Sequence, residues 1–406
     1  MSYLLLKNCN ELLTVAEDAK DLIGLEKNKS LLIKDEKIFM IDTYDNIIQK
    51  LTGCKFEEID CSNRVVMPGY IDSHTHLLFG ESRVDEYVAS FTMPKDEIKK
   101  ILPLTGLDAS IYYTKNATDK ALIDSSILKL NRMLRYGTTT VEIKSGYGID
   151  KDTELRQLRL IKRLRELTPQ TIFATYLGAH YYDVNMGKDK YIDFMIKEVM
   201  PIIKEEDLAQ FSDVWCDEGY YTAEDSYRIL GAAKEFGMIP TMHTECYSAV
   251  GGAKVAAELK AANVGHLNYL TEEDTRLLKE ANVVGILLPG TDFSVRHPNP
   301  FNPRPILDAG LTIAIATNLN PGNWVESMQL AMALGCRNHN LTEKEVIRAA
   351  TLGGAKALKI EDEVGSLEEG KYADIQIVNS DNYKNCVYKL GVNEVEHVIK
   401  RGKLLF

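Results

Sequence analysis

No two of the seven cysteines in this 406-residue chain are spaced as CxxC, and their number is odd. Cys9, Cys54, Cys61, Cys216, Cys246, Cys336 and Cys386 are scattered, which excludes a dense disulfide framework and fits reduced thiols in a cytoplasmic chain. No apolar run approaches the roughly 20 residues of a membrane helix. The opening Met1-Ser2-Tyr3-Leu4-Leu5-Leu6-Lys7 is too short in apolar residues for a signal peptide. The expectation is a cytoplasmic protein with no membrane partner. Positive charge is also scarce: 48 Lys and Arg against 59 Asp and Glu leave a net charge of −11. That balance argues against a nucleic-acid partner, because phosphate binding needs clustered cations. A cationic group beside the chemistry would then be informative about an anionic ligand. A glycine-rich phosphate loop is missing too. After the first long apolar strand pattern, at 65–72, come Ser73-His74-Thr75-His76, which disfavours an open nucleotide-binding sheet.

What is present is a globular composition, 45% apolar and 26% charged. Residues 1–65 hold short apolar runs broken by Asp-, Asn- and Lys-rich turns, and the last segment returns to that texture. Between them, strand-like runs at 65–72, 138–144, 172–177, 213–217, 239–243, 264–267, 283–288 and 311–316 alternate with amphipathic helical patterns. Eight strands with helices between them predict an α/β fold, a closed (β/α)₈ barrel over 66–359. Residues 1–65 and 360–406 are expected to form a small composite β-sandwich domain.

The strongest chemical signal is His74-Thr75-His76. On a strand, residues i and i+2 share a face, so both imidazoles point to the barrel axis. A bare HxH is more often two exposed loop histidines, but here the pair follows a strand, where barrels of this kind gather their catalytic groups. His180, His243 and His266 stand at the ends of the third, fifth and sixth expected strands. Each alone reads as a hydrogen-bonded core histidine; together with the HxH pair they read as one site, suited to zinc or ferrous iron. His339 and His397 carry no such signal, and His297 reads as part of a surface loop.

These residues carry a family resemblance. The chain resembles imidazolonepropionases of the amidohydrolase superfamily over nearly its whole length. The matching segments include 68–80 with Ser82-Arg83, Lys144-Ser145-Gly146-Tyr147-Gly148, Thr175-Tyr176-Leu177-Gly178-Ala179-His180, Asn320-Pro321-Gly322 and 365–374. The resemblance implies one divalent metal, zinc or iron, on His74, His76 and His243 with Asn318 beside them. It implies that Arg83 and Tyr147 hold an anionic cyclic amide, with the guanidinium suited to a carboxylate. His180 and His266 would contact the ring or polarise its carbonyl, Asn320, Gly322 and Asn323 would bind the far end, and the assembly would be a homodimer. A metal pair bridged by a modified lysine is disfavoured, because 213–217 has none.

Two positions depart from the family pattern. Asn318 stands where the family has an aspartate, and Cys246 aligns with its acid/base glutamate, with Glu245 in the adjoining slot. An amide cannot act as a base, although its carbonyl oxygen can ligate. Three readings stay open: a hydrolase in which His266, His180, Glu245 or Cys246 handles protons, a barrel with isomerase, lyase or hydratase chemistry, and a ligand-binding homologue without turnover.

Overall fold

The computed structural model describes residues 2–406. Eight strands lie side by side in chain order in one sheet: Tyr70–Asp72, Thr138–Lys144, Thr171–Ala179, Phe211–Cys216, Ile239–Thr244, Asn263–His266, Val284–Leu287 and Ile313–Ile315. Their seven ladders are all parallel. Parallel neighbours need helical crossovers, and amphipathic helices supply them. Lys151–Leu167 is typical: Asp150 caps it by accepting from Thr153 N, and Leu155, Leu158, Ile161 and Leu164 recur at helical spacing on its buried face.

The last strand is joined to the first by bonds just beyond both. His74 O accepts from Asn318 N at 3.1 Å, and His76 N donates to Leu319 O at 2.8 Å. Asp72 Oδ1 accepts from Thr317 N at 3.1 Å and Oδ2 from Thr317 Oγ1 at 2.6 Å. The seam that closes the barrel therefore runs through the residues expected to bind metal.

The expected β domain from both chain ends is one mixed sheet. Tyr3–Leu13 pairs with Leu25–Lys34, Glu57–Asp60 and Val65–Pro68, and the last of these pairs with Ile375–Val378. The single strand expected at 65–72 is two strands in two sheets. Pro68 has no N–H for a ladder, and the Gly69 N–H turns to Asp374 O at 2.9 Å instead of to a barrel neighbour. Val65–Pro68 thus belongs to the end sheet, which moves the expected boundary between residues 65 and 66 a few residues along the chain. No helix among the described residues is long and apolar enough to cross a membrane, and all seven cysteines are free.

Thr317 is the weak point of the seam. Burial raises the Asp72 carboxyl to about 7 against the pull of both Thr317 bonds. A folded-state value above the unfolded one means that the native protein holds the extra proton, so stability falls as pH rises from about 4 towards 7. Thr317→Val strands one carboxylate oxygen and should cost about 1–3 kcal/mol. Urea unfolding should show a larger loss at about pH 8, where the carboxylate is ionised, than at about pH 5.

Candidate functional site

Five histidines meet at the C-terminal end of the barrel. His74 and His76 follow the first strand, His180 follows the third, and His243 and His266 lie at the ends of the fifth and sixth. His74 Nε2 is 3.0 Å and His76 Nε2 3.2 Å from His243 Nε2. His266 offers a ring nitrogen within 4.8 Å of ligand atoms of His74 and His243. His243 Nδ1 lies 2.9 Å from Asp213 Oδ1. A carboxylate only accepts, so Nδ1 keeps the hydrogen and Nε2 presents a bare lone pair. Burial drives His74, His76 and His266 well below the ordinary imidazole range, with Lys144, His180 and His243 respectively as the next cause. These rings are neutral at neutral pH.

The fourth donor comes from the strand-eight loop. Asn318 Nδ2 donates to Thr291 Oγ1 at 2.9 Å, which leaves its carbonyl oxygen buried and without a partner. Three imidazole nitrogens and one amide oxygen are a donor set that fits a borderline divalent cation. His74 and His243 with His76 and Asn318 could hold it, and His266, whose ligand atom lies within 4.8 Å of those of His74 and His243, is the other candidate.

Beneath these ligands runs a buried chain of charges. Lys144 Nζ sits 2.9 Å from both Glu142 Oε1 and Asp213 Oδ2. Glu142 Oε2 accepts from Thr75 N at 3.0 Å, between the two histidines, and Asp213 Oδ1 also accepts from His243 N at 3.0 Å. Burial acts to raise Asp213, but His243 and Lys144 hold it well below the usual carboxylate range. Burial acts to lower Lys144, and Asp213 with Glu142 outweighs it.

Above the cluster opens a cavity of about 1220 Å³, lined by His76, Arg83, Tyr147, His180, His243, Cys246, His266, Asn318, Asn320 and Gly322. Among the described residues, Arg83 Nε is buried without a partner, and its one ion pair, to Glu86, is long at 3.8 Å. Gly322 makes room for it: a Cβ there would lie 1.9 Å from the guanidinium. Asn320 spends its side chain on the loop itself, accepting from Gly322 N and donating to Asn318 O, both at 2.8 Å. Cys246 Sγ lies 3.3 Å from His266 Nδ1.

Residues 65–405 match the amidohydrolase family. This chain belongs to that family. It is 35% identical to the imidazolonepropionase of Clostridium tetani, over 99% of this chain and 98% of the relative. It is 36% identical to that of Alkaliphilus oremlandii, over 98% and 97%. Among solved structures it is similar in fold to an adenosine deaminase from Xanthomonas campestris with bound zinc, at 18% identity. That likeness has a TM-score of 0.71 and covers 99% of this chain and 92% of the other. Membership in the amidohydrolase family supports a divalent metal at the histidine cluster.

Two expected residues lie outside this amidohydrolase cavity. Glu245 turns away in a left-handed backbone conformation, φ +53°, and accepts from Val250 N at 2.8 Å and Ala253 N at 3.3 Å at the start of helix Gly252–Leu259. It is a helix cap, not an acid or base for the cavity. Asn323 donates to Thr317 O and Asn318 O at 3.0 Å and holds the loop from behind. His297, read as surface loop, is buried, lines the cavity and stacks on Tyr247. Sequence reasoning passed over Glu142, Lys144, Asp213 and Thr291. The alternation Glu142-Ile143-Lys144 inside an apolar strand was the available signal, since two charges on one buried face require partners.

Asp213 should matter through His243. Asp213→Asn weakens the hydrogen bond that orients the ring, and metal affinity should fall on the order of 10–100-fold in competition with a chelator. Retained affinity would remove Asp213 from the metal site.

Proposed function

We propose that this amidohydrolase opens a cyclic amide, an imidazolone-type ring bearing a carboxylate side chain. The observation that carries the reading is that one cavity holds both the converging histidine nitrogens and an Arg83 guanidinium with a free buried N–H. The named relatives over nearly the full chain point to the same ring.

Arg83 takes the substrate carboxylate, and Gly322 leaves the space for that guanidinium. Tyr147, with its hydroxyl held protonated by burial, is a hydrogen-bond donor on the same wall. A divalent cation at the cluster, zinc on the three-imidazole set or iron as the other candidate, supplies Lewis acidity and a water with pKa of about 7. Burial pushes the Cys246 thiol up, so it keeps its hydrogen and donates to His266 Nδ1. His266 then carries its ring hydrogen on Nε2, where it serves the developing oxyanion as a donor. His180 is fixed the other way round. Its Nδ1 lies 3.1 Å from Gly146 O, which only accepts, so Nε2 has the lone pair.

Water oxygen bonds to the ring carbonyl carbon, and the adjoining ring C–N bond breaks to give an acyclic acid. The ring nitrogen leaves with a proton that His180 Nε2 accepts from the attacking water and returns. Burial lowers His180 to about 3, so it is a weak base. Asn318 takes no part in that transfer, because an amide oxygen has no useful basicity. Slow ring opening is the consequence.

The test is direct. Metal-loaded protein should convert imidazolone propionate to the acyclic acid, followed by loss of ring absorbance, and chelation or His74→Ala should stop it. No conversion by metal-loaded wild type would overturn the reading in favour of ligand binding without turnover. Asn318→Asp supplies a carboxylate that Thr291 can hydrogen-bond, and should raise kcat on the order of 10²–10⁴-fold. An unchanged or lower kcat with full metal content would show that proton transfer does not limit the reaction.

A further inference from the structure

The buried carboxylate of Glu154 has no place in the metal network, yet it lies directly under the substrate wall. It sits in the first turn of helix Lys151–Leu167, on the face turned to the barrel, and is 2% exposed. Its two oxygens are used symmetrically: Oε1 accepts from Gly146 N and Oε2 from Gly148 N, each at 2.8 Å. These N–H groups flank Tyr147, whose side chain lines the cavity.

The loop and the helix are built for this contact. A Cβ on Gly148 would meet Glu154 Oε2 at 2.2 Å and its backbone nitrogen at 2.6 Å, so only glycine lets the loop come down onto the carboxylate. The other face of the same short loop binds the site. Gly146 O faces His180 Nδ1 at 3.1 Å, the contact that leaves His180 Nε2 free. One side chain therefore fixes the height of Tyr147 and the carbonyl that selects the His180 tautomer.

We infer that Glu154 is a positioning residue, which sets Tyr147 and His180 for the substrate ring by clamping the backbone on both sides of Tyr147. Burial raises the Glu154 carboxyl to about 7, so at about pH 8, where the comparison is made, the ionised glutamate accepts both bonds, whereas an amide of the same shape must turn its NH₂ towards one of the two N–H groups. Glu154→Gln thus keeps the volume and breaks one arm of the clamp. The unsatisfied N–H should lift the loop locally and leave the fold and the metal site intact, because neither the ligands nor Lys144 touches Glu154.

The catalytic part of the inference rests on the ring-opening reading, and the experiment separates the two. In metal-loaded protein at about pH 8, Glu154→Gln should lower kcat/KM about 10–100-fold, the size expected when a small displacement takes Tyr147 and His180 out of productive geometry. Metal content should stay near wild type, and the melting temperature should fall by no more than a few degrees, the effect of one unsatisfied buried N–H. Hydrogen exchange of peptides spanning 145–149 should quicken in the variant, while exchange around 74–76 and 243 stays slow. Imidazole-4-propionate, a stable carboxylate-bearing ring, should bind the variant more weakly by calorimetry.

A double-mutant cycle with Tyr147→Phe and His180→Gln tests the route. Added to that double background, Glu154→Gln should weaken imidazole-4-propionate binding less than about threefold, because the groups it positions are already gone. Gly148→Ala presses on the same carboxylate from the loop side and should reproduce the kinetic signature if Glu154→Gln fails to fold. Wild type that opens no ring defeats the proposed function, with exchange and ligand binding still reporting on the clamp. Exchange and affinity at wild-type values in both variants, or fully additive losses in the cycle, would overturn the inference.

Discussion

The site depends on one ion-pair contact, Lys144 Nζ held 2.9 Å from Asp213, because Asp213 in turn fixes His243. All three charges of the chain, Lys144, Asp213 and Glu142, are wholly buried. An isolated charge in such a place is too costly to persist, so each needs its neighbour. Removing Lys144 would leave two carboxylates facing each other in a dry interior. Removing Asp213 would free His243 to rotate and change tautomer. The same chain reaches the other two ligands, since Glu142 takes the Thr75 N–H between His74 and His76. Three strands are thus brought to register at one point by electrostatics as well as by their ladders.

Buried carboxylates repeat this task around the rim. Asp72 accepts from the Thr317 backbone across the closing seam, and Asp217 accepts from Cys246 N at 3.1 Å and Tyr247 N at 2.8 Å. Glu245 caps the helix that follows its own strand. The physical cause is common to all of them. Strand ends leave the sheet where the loops begin, so their N–H groups have no ladder partner, and a buried orphan donor is expensive. A carboxylate from the next strand or helix satisfies two donors at once and locks the loop with them. Catalytic side chains on such loops are held nearly as firmly as if they lay on the strands.

Legibility in the sequence followed this division. The eight barrel strands were readable because each is an apolar run between turn signals, and the histidines were readable because they close those runs. The split at Gly69 was not, since 65–72 is one unbroken apolar pattern and only tertiary pairing divides it. Glu245 was misplaced because its neighbour His243 is in the site; one residue in a left-handed conformation sends the carboxylate to the opposite side. His297 was missed because nothing local shows that a loop folds inward. The role of Lys144 was not legible because it lies on the second strand, and only tertiary pairing sets its ammonium against Asp213 on the fourth.

Two neutral side chains at the rim of the site acquire a common sense in this setting. Asn318 donates to Thr291 and keeps its carbonyl oxygen free, and the Cys246 thiol, pushed up by burial, lies against His266. Beneath the ligands, Lys144, Asp213 and Glu142 sum to one negative charge when both carboxyls are ionised. A divalent cation among neutral imidazoles and an amide would then outweigh that charge, while on the cavity wall Arg83, Lys95 and Arg296 are matched by Glu86, Glu218 and Asp292. On the proposed reading, the cation and Arg83 would together hold an anionic ring and strengthen the pull on its carbonyl, without a strong base for the attacking water. Neither side chain is a base for an attacking water, so the proposed ring opening leans on anion binding and carbonyl polarisation.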